Sequence, residues 1–228
     1  MTEPSVLVFD VNETLLDIGS LAPFFHRLFG DPKVLREWFA QLILYSEAIT
    51  LSGLYEDFFS LGRAVLEMLG AIHGVSVKPA DVDELKALLL TMPPHPDVEE
   101  GLATLQRAGF RMVTCTNSPP NPHGKSPVEH AGLAHYFERQ LSVHTLCAFK
   151  PAQQVYHTVA QELGVSPASC CMIAAHVWDT LGAQSAGFSA ALVTRSNNAP
   201  LPLKAIPQPQ IIAPDIPGVA AQLLKQWR

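Results

Sequence analysis

Residues able to do chemistry stand where apolar runs of this chain stop. The run "VLVFDVNETLLD" (residues 6–17) breaks at Asp10, then carries Asn12 and Thr14. The run that begins "FRMVTC" (110–115) continues into Thr116, Asn117 and Ser118, and "CMIAA" (171–175) leads to His176 and Asp179. A fourth segment, "LCAFKP" (146–151), supplies Lys150. If the runs are neighbouring strands, two carboxylates, one lysine and several hydrogen-bonding groups share one cleft. A lysine close to two acids keeps both ionised, which suits a carboxylate that attacks an electrophilic carbon. Asp10 could also be a simple helix cap, but that leaves Lys150 and Asp179 without a reason. His176 reads equally well as a hydrogen-bonded loop residue.

The elements that must hold these residues follow from hydrophobic patterning. "SVLVFDV", "FRMVTCTN", "SCCMIAA" and "FSAALVT" are continuous apolar runs, as expected of strands buried on both faces of a parallel sheet. Helices are predicted from Pro96, with Val98, Leu102 and Leu105 on one face, and from Pro151, with Val155, Val159 and Leu163. The alternation predicts a doubly wound α/β core of Rossmann-like type, whose ligands bind outside the carboxyl ends of the strands. Between Leu16 and about Met92 only amphipathic helical segments follow one another, one of them with Phe58, Leu61, Val65 and Leu69 on a stripe. The expected organisation is a core of residues 1–15 and 93–228 with a helical cap, 16–92, inserted after the first strand. "TMPPHPD" (91–97) is its return hinge, and "NNAPLPLKAIPQPQ" (197–210) a surface loop before a last short strand and helix. Cap aromatics such as Trp38, Phe58 and Phe59 read first as core.

Composition narrows the partners. A formal charge of −6 with no cluster of Lys or Arg argues against nucleic acid and anionic membranes, so a small molecule is the expected ligand. No run approaches the roughly 18 apolar residues of a membrane span, and no secretory leader is legible, so the cytoplasm is the expected location. The four cysteines form no CxxC pair and are expected to be reduced core residues; no pair of histidines has HExxH-like spacing.

Four motifs in order make the chain resemble the haloacid dehalogenase superfamily, and within it the L-2-haloacid dehalogenases. They are "FDVNETLLD", "TCTNS", "FKPAQQVYHTVAQELGV" and "AAHVWDTLGAQSAGF". The resemblance implies that Asp10 displaces halide to form an alkyl ester, which water then hydrolyses with one inversion at carbon. It implies that Lys150 pairs with Asp10 and orients water with Asp179 and Thr14. Thr116, Ser118 and backbone N–H groups at Val11 and Asn12 would hold the substrate carboxylate, and Asn117 would meet the halide. A phosphatase of the superfamily needs an acid two residues after its nucleophile to protonate the leaving alcohol; a halide needs no proton, and Asn12 fits that loss. "AAH" (174–176) likewise lacks the acidic pair that holds Mg²⁺, so neither metal nor cofactor is expected. Relatives meet the halide with a cap arginine. In "LREWFAQLILYSE" (35–47) the candidates are Trp38 and Arg36, and His176 is a further one; a tryptophan there would favour haloacetate over longer acids. The family also suggests a homodimer. An Mg²⁺-dependent phosphatase or phosphonatase and a silent small-acid-binding relative remain open at this stage.

Overall fold

In the computed structural model, which describes residues 4–227, six parallel strands form one sheet. In chain order the elements are β1 (Val6–Phe9), α1 (Ala22–Phe29), α2 (Val34–Leu51), α3 (Phe58–His73), α4 (Pro79–Leu90), α5 (Val98–Arg107), β2 (Arg111–Thr116), the short α6 (Pro127–His130), β3 (Arg139–Ser142), α7 (Gln153–Glu162), β4 (Cys170–Ala174), α8 (Val177–Ser185), β5 (Ser189–Val193), β6 (Ile211–Ala213) and α9 (Ile216–Trp227). Spatial order is β3-β2-β1-β4-β5-β6. The direction in which the chain winds therefore reverses at β1, and the carboxyl ends of β1, β2 and β4 enclose the crevice where such sheets bind ligands.

β1 is wholly buried because helices cover both faces and β2 and β4 flank it, with Phe9 opposite Thr114 on one side and Ile173 on the other. Each fully buried Val, Leu or Phe of this kind stabilises by roughly 1.5–3 kcal/mol. The ladder ends at Asp10, whose N–H still donates to Ile173 at 3.0 Å. One strand escaped sequence reading: β3, "RQLS", lies at the sheet edge with no fully buried residue, so it carries no apolar run. The helix expected from Pro151 begins at Gln153, and the one expected from Pro96 begins at Val98.

The chain between β1 and α5 is helical through α1–α4, with one short 3-10 turn at Ile18–Leu21. Its two crossings run side by side: Asp17 N–H donates to Pro93 O at 2.8 Å and His95 N–H to Leu15 O at 2.9 Å. α2 and α3 pack through Gly62, where an added Cβ would lie 3.2 Å from the Trp38 ring. On α3 the buried face is Phe58, Gly62, Val65, Leu66, Leu69 and Gly70, leaving Leu61 half-buried. Cys115, Cys170 and Cys171 are buried as expected, but Cys147 is exposed, because it ends a 3-10 turn in a left-handed conformation outside the sheet. No helix among the described residues is long and apolar enough to cross a membrane.

Candidate active site

The carboxyl ends of β1, β2 and β4, with the connection after β3 that carries Lys150, bring Asp10, Asn117, Lys150, His176 and Asp179 together. Lys150 is wholly buried, and its ammonium spends all three protons on Asp10 Oδ1 (2.9 Å), Asp179 Oδ2 (2.5 Å) and Cys115 O (2.9 Å). Thr14 donates to the other oxygen of Asp10, Oδ2, at 2.7 Å, and its hydroxyl accepts from Ala175 N–H at 2.9 Å. Burial alone would raise the Asp10 pKa. Lys150, His176 and Thr14 overcome it and hold the carboxyl well below the usual range, so Asp10 is ionised at neutral pH. Asp179 is fixed in turn by the Tyr156 hydroxyl at 2.7 Å; burial and the charge of Asp10 push it the other way, above its ordinary value.

Asn117 Oδ1 accepts from Lys150 N–H at 3.0 Å, which turns its NH₂ group away from Lys150; with Thr116, Asn117 lines a small cavity over Asp10. Asn12 donates to Ser118 Oγ at 3.4 Å. Among the described residues no acceptor takes the N–H groups of Val11 and Asn12, which follow Asp10; successive free N–H groups of this kind can bind an anion.

Two expected residues do something else. The indole N–H of Trp38 donates to Gly62 O at 2.9 Å, so it is not free to meet a halide. Arg36 turns to Glu13 and to Ser196 O and does not line the cavity over Asp10. The register of α2 is the reason: Phe39 and Ile43 are the side chains it presents there.

Sequence reading missed Glu13, which is the main surprise of the site. Its carboxylate is buried and accepts from His176 Nε2 at 2.7 Å and from Arg36. Its backbone sits at φ 67°, a left-handed conformation that costs a non-glycine residue on the order of 1 kcal/mol. The loop is held there by Glu13 N–H on Leu16 O (2.8 Å), by His95 Nε2 on Glu13 O (3.1 Å) and by the buried Arg195. Arg195 donates to Thr14 O from Nε (3.2 Å) and Nη2 (2.9 Å), and to Asp97 from Nη1 (2.6 Å). Applying the strand-end rule to "ALVTR" would have found Arg195; nothing in the sequence pairs Glu13 with His176.

His176 stands between the rings of Trp178 (stacked, centroids 5.1 Å apart) and Phe39 (5.5 Å). Its Nδ1 lies 3.7 Å from Asp10 Oδ2, too far for a hydrogen bond, and is buried without a partner. Burial would lower its pKa, but Asp10 and Glu13 raise it to about 9. The imidazolium therefore stabilises the fold in full below pH 6.5, its ordinary pKa, and this contribution is lost as pH rises through about 9. Urea midpoints measured from pH 6 to 10 should fall over that window in the wild type and lose this decline in His176→Gln; an identical slope in both would assign it elsewhere.

The donors do not suit a divalent cation. Lys150 occupies the ground between the two carboxylates, Asn12 and Ala175 supply no charge, and no group of three metal-binding side chains occurs among the described residues. What the arrangement can do is attack carbon with an ionised carboxylate in a water-poor pocket and then manage a proton at His176.

Comparison with known proteins agrees with this chemistry. The chain is 29% identical to the (S)-2-haloacid dehalogenase of Xanthobacter autotrophicus over 83% of its length and 74% of that protein. It is 25% identical to haloacetate dehalogenase H-2 of Moraxella sp. (strain B), over 86% and 88% respectively. The crystal structure of L-2-haloacid dehalogenase from Xanthobacter autotrophicus superposes with a TM-score of 0.88 at 25% identity, covering 99% of this chain and all of that one. A family model matches residues 4–187, a span that holds the loop after β1, the helical insert, Lys150 and the His176–Asp179 turn, and the chain belongs to the haloacid dehalogenase-like hydrolases.

Proposed function

We propose that the chain hydrolyses the carbon–halogen bond of small 2-haloacids to 2-hydroxy acids through an ester on Asp10. The observation that carries this reading is the pairing of a buried, ionised Asp10 with an amide, Asn12, where protonation of an alcohol would need an acid. Names of the relatives favour the same substrates. In this reading the core is residues 1–15 and 93–228, and 16–92 is the cap that keeps water from the cleft.

The substrate carboxylate lies on the N–H groups of Val11 and Asn12, with Thr116 and Ser118 beside them. Asp10 Oδ2 carries only a hydroxyl hydrogen bond, whereas Oδ1 carries the ammonium of Lys150, so Oδ2 is the better nucleophile. It attacks C2 from behind the halogen, the C–X bond breaks, and halide leaves with its electron pair toward the Asn117 NH₂ group and the positive ring edges of Phe39 and Phe58. Forming the ester removes one of the two anions that hold the proton on His176. The imidazole then gives that proton to solvent and, with Glu13 behind it, takes another from the water that attacks the ester carbonyl. Lys150 stabilises the oxyanion on Oδ1, the ester bond breaks, and the alcohol leaves with its proton from His176.

Free cysteines throughout the described residues support a reducing, cytoplasmic setting, and exposed Leu44, Leu51 and Leu54 on the cap support a homodimer. The assay that tests the function pairs halide release from chloroacetate with phosphate release from p-nitrophenyl phosphate, each with EDTA and with Mg²⁺. Halide release unaffected by EDTA is expected. Phosphate release that requires Mg²⁺, without halide release, would overturn the reading.

A further inference from the structure

Beyond the nucleophile the cleft continues. The cavity over Asp10 and His176 has a volume of about 10 Å³, room for about one water. Three of the residues that line it, Asn12, Phe39 and Phe58, also line a cavity of about 440 Å³ between the cap and the loop after β2. Its walls are mainly apolar: Ile18, Trp38 and Leu42 from one side, Leu85, Leu89 and Leu90 of α4 from another. Near Asp10 its polar groups are Asn12 and Ser118, hydrogen-bonded to each other; of the others, Asp57 and Ser60 are half-buried and hydrogen-bonded to each other at the start of α3, Asn121 is half-buried, and Lys86 and His123 are exposed. An apolar chamber that meets the reaction site across one short amide and two rings is shaped for part of the substrate itself.

We propose that this chamber is a subsite for an apolar substituent on C2 of the haloacid, so that the chain accepts 2-haloalkanoates with long side chains as well as haloacetate. The proposal rests on the dehalogenase reading for its substrate class, and on the cavity for its extent. A preference for haloacetate expected from a tryptophan at the halide loses its basis, since the Trp38 N–H faces Gly62 and its ring lines the larger cavity. The carboxylate and C2 lie at Asp10, and the alkyl chain passes between Phe39 and Phe58 toward α4. Transfer of each methylene from water into such a lining is worth roughly fourfold in affinity.

The test uses the whole protein. Calorimetry should find octanoate bound at least tenfold more tightly than acetate. Leu89 is half-buried at the chamber wall, so Leu89→Trp should narrow the chamber and lower that advantage several-fold, leaving acetate binding and turnover of bromoacetate within about twofold. Leu89→Ala, which needs no extra room, should lower octanoate affinity several-fold and leave acetate unchanged. With 2-bromooctanoate as substrate, kcat/KM should fall in Leu89→Trp while bromoacetate is spared. Equal binding of octanoate and acetate in the wild type, or equal losses for both in the two variants, would overturn the subsite. Absence of halide release from bromoacetate would overturn the dehalogenase reading instead, and the fatty-acid binding would still decide the subsite.

Discussion

Asp10→Asn is expected to lower halide release by roughly 10⁴-fold or more, since nothing else in the cleft is placed to attack carbon. The two side chains are nearly the same size. Asparagine keeps one carbonyl oxygen for Lys150, while its NH₂ group must donate to the Thr14 hydroxyl from which Asp10 accepts, so one of the two side-chain contacts reverses direction. What is lost is the negative charge, and with it the nucleophile. The loss of an anion beside Lys150 and His176 will also lower stability, so the variant should be compared by circular dichroism and thermal midpoint as well as by halide assay. A folded variant that retains more than a few per cent of the wild-type rate would remove Asp10 from the mechanism.

The second large effect is expected at the Glu13–His176 pair. General base catalysis contributes about 10²–10⁴-fold, and here it acts after the halide has gone. His176→Ala and Glu13→Gln should therefore release one equivalent of halide per active site and then stall. Intact-protein mass spectrometry after mixing with chloropropionate should find the added carboxyalkyl group, and peptide mapping should find it on Asp10. Slow steady-state turnover with no accumulated ester would mean that the pair acts in the displacement step and not in hydrolysis. Glu13→Gln separates the roles within the pair: it leaves the imidazole in place but removes one of the two carboxylates that hold it charged.

Much of this site was legible before any coordinates. Asp10, Asn117, Lys150, His176 and Asp179 each follow an apolar strand or lie in a connection at the sheet's carboxyl end, and parallel sheets collect such residues in one crevice for topological reasons. Where sequence reading failed, the deciding quantity was orientation. Trp38 and Phe39 are adjacent in α2 and roughly 100° apart around its axis. Which of them faces Asp10 is decided by how α2 seats on α3 at Gly62, and no local pattern encodes that angle.

The alternation of buried strands and helices, the helical insert after β1, and the residue types at the strand ends are legible from the amino acids alone, because these depend on periodicity and on chemistry carried by single positions. Tertiary structure decided the rest. It took Arg36 from the halide and gave it to Glu13, and it sealed the Trp38 N–H inside the cap. It closed Glu13 and His176 into a pair from opposite sides of the switch point, 163 residues apart. It opened a chamber beside Asn12 whose walls come from the nucleophile loop, three cap helices and the loop after β2. Each of these rests on which surfaces meet when separately folded elements pack, and packing is a property of pairs of distant segments that a one-dimensional pattern does not contain.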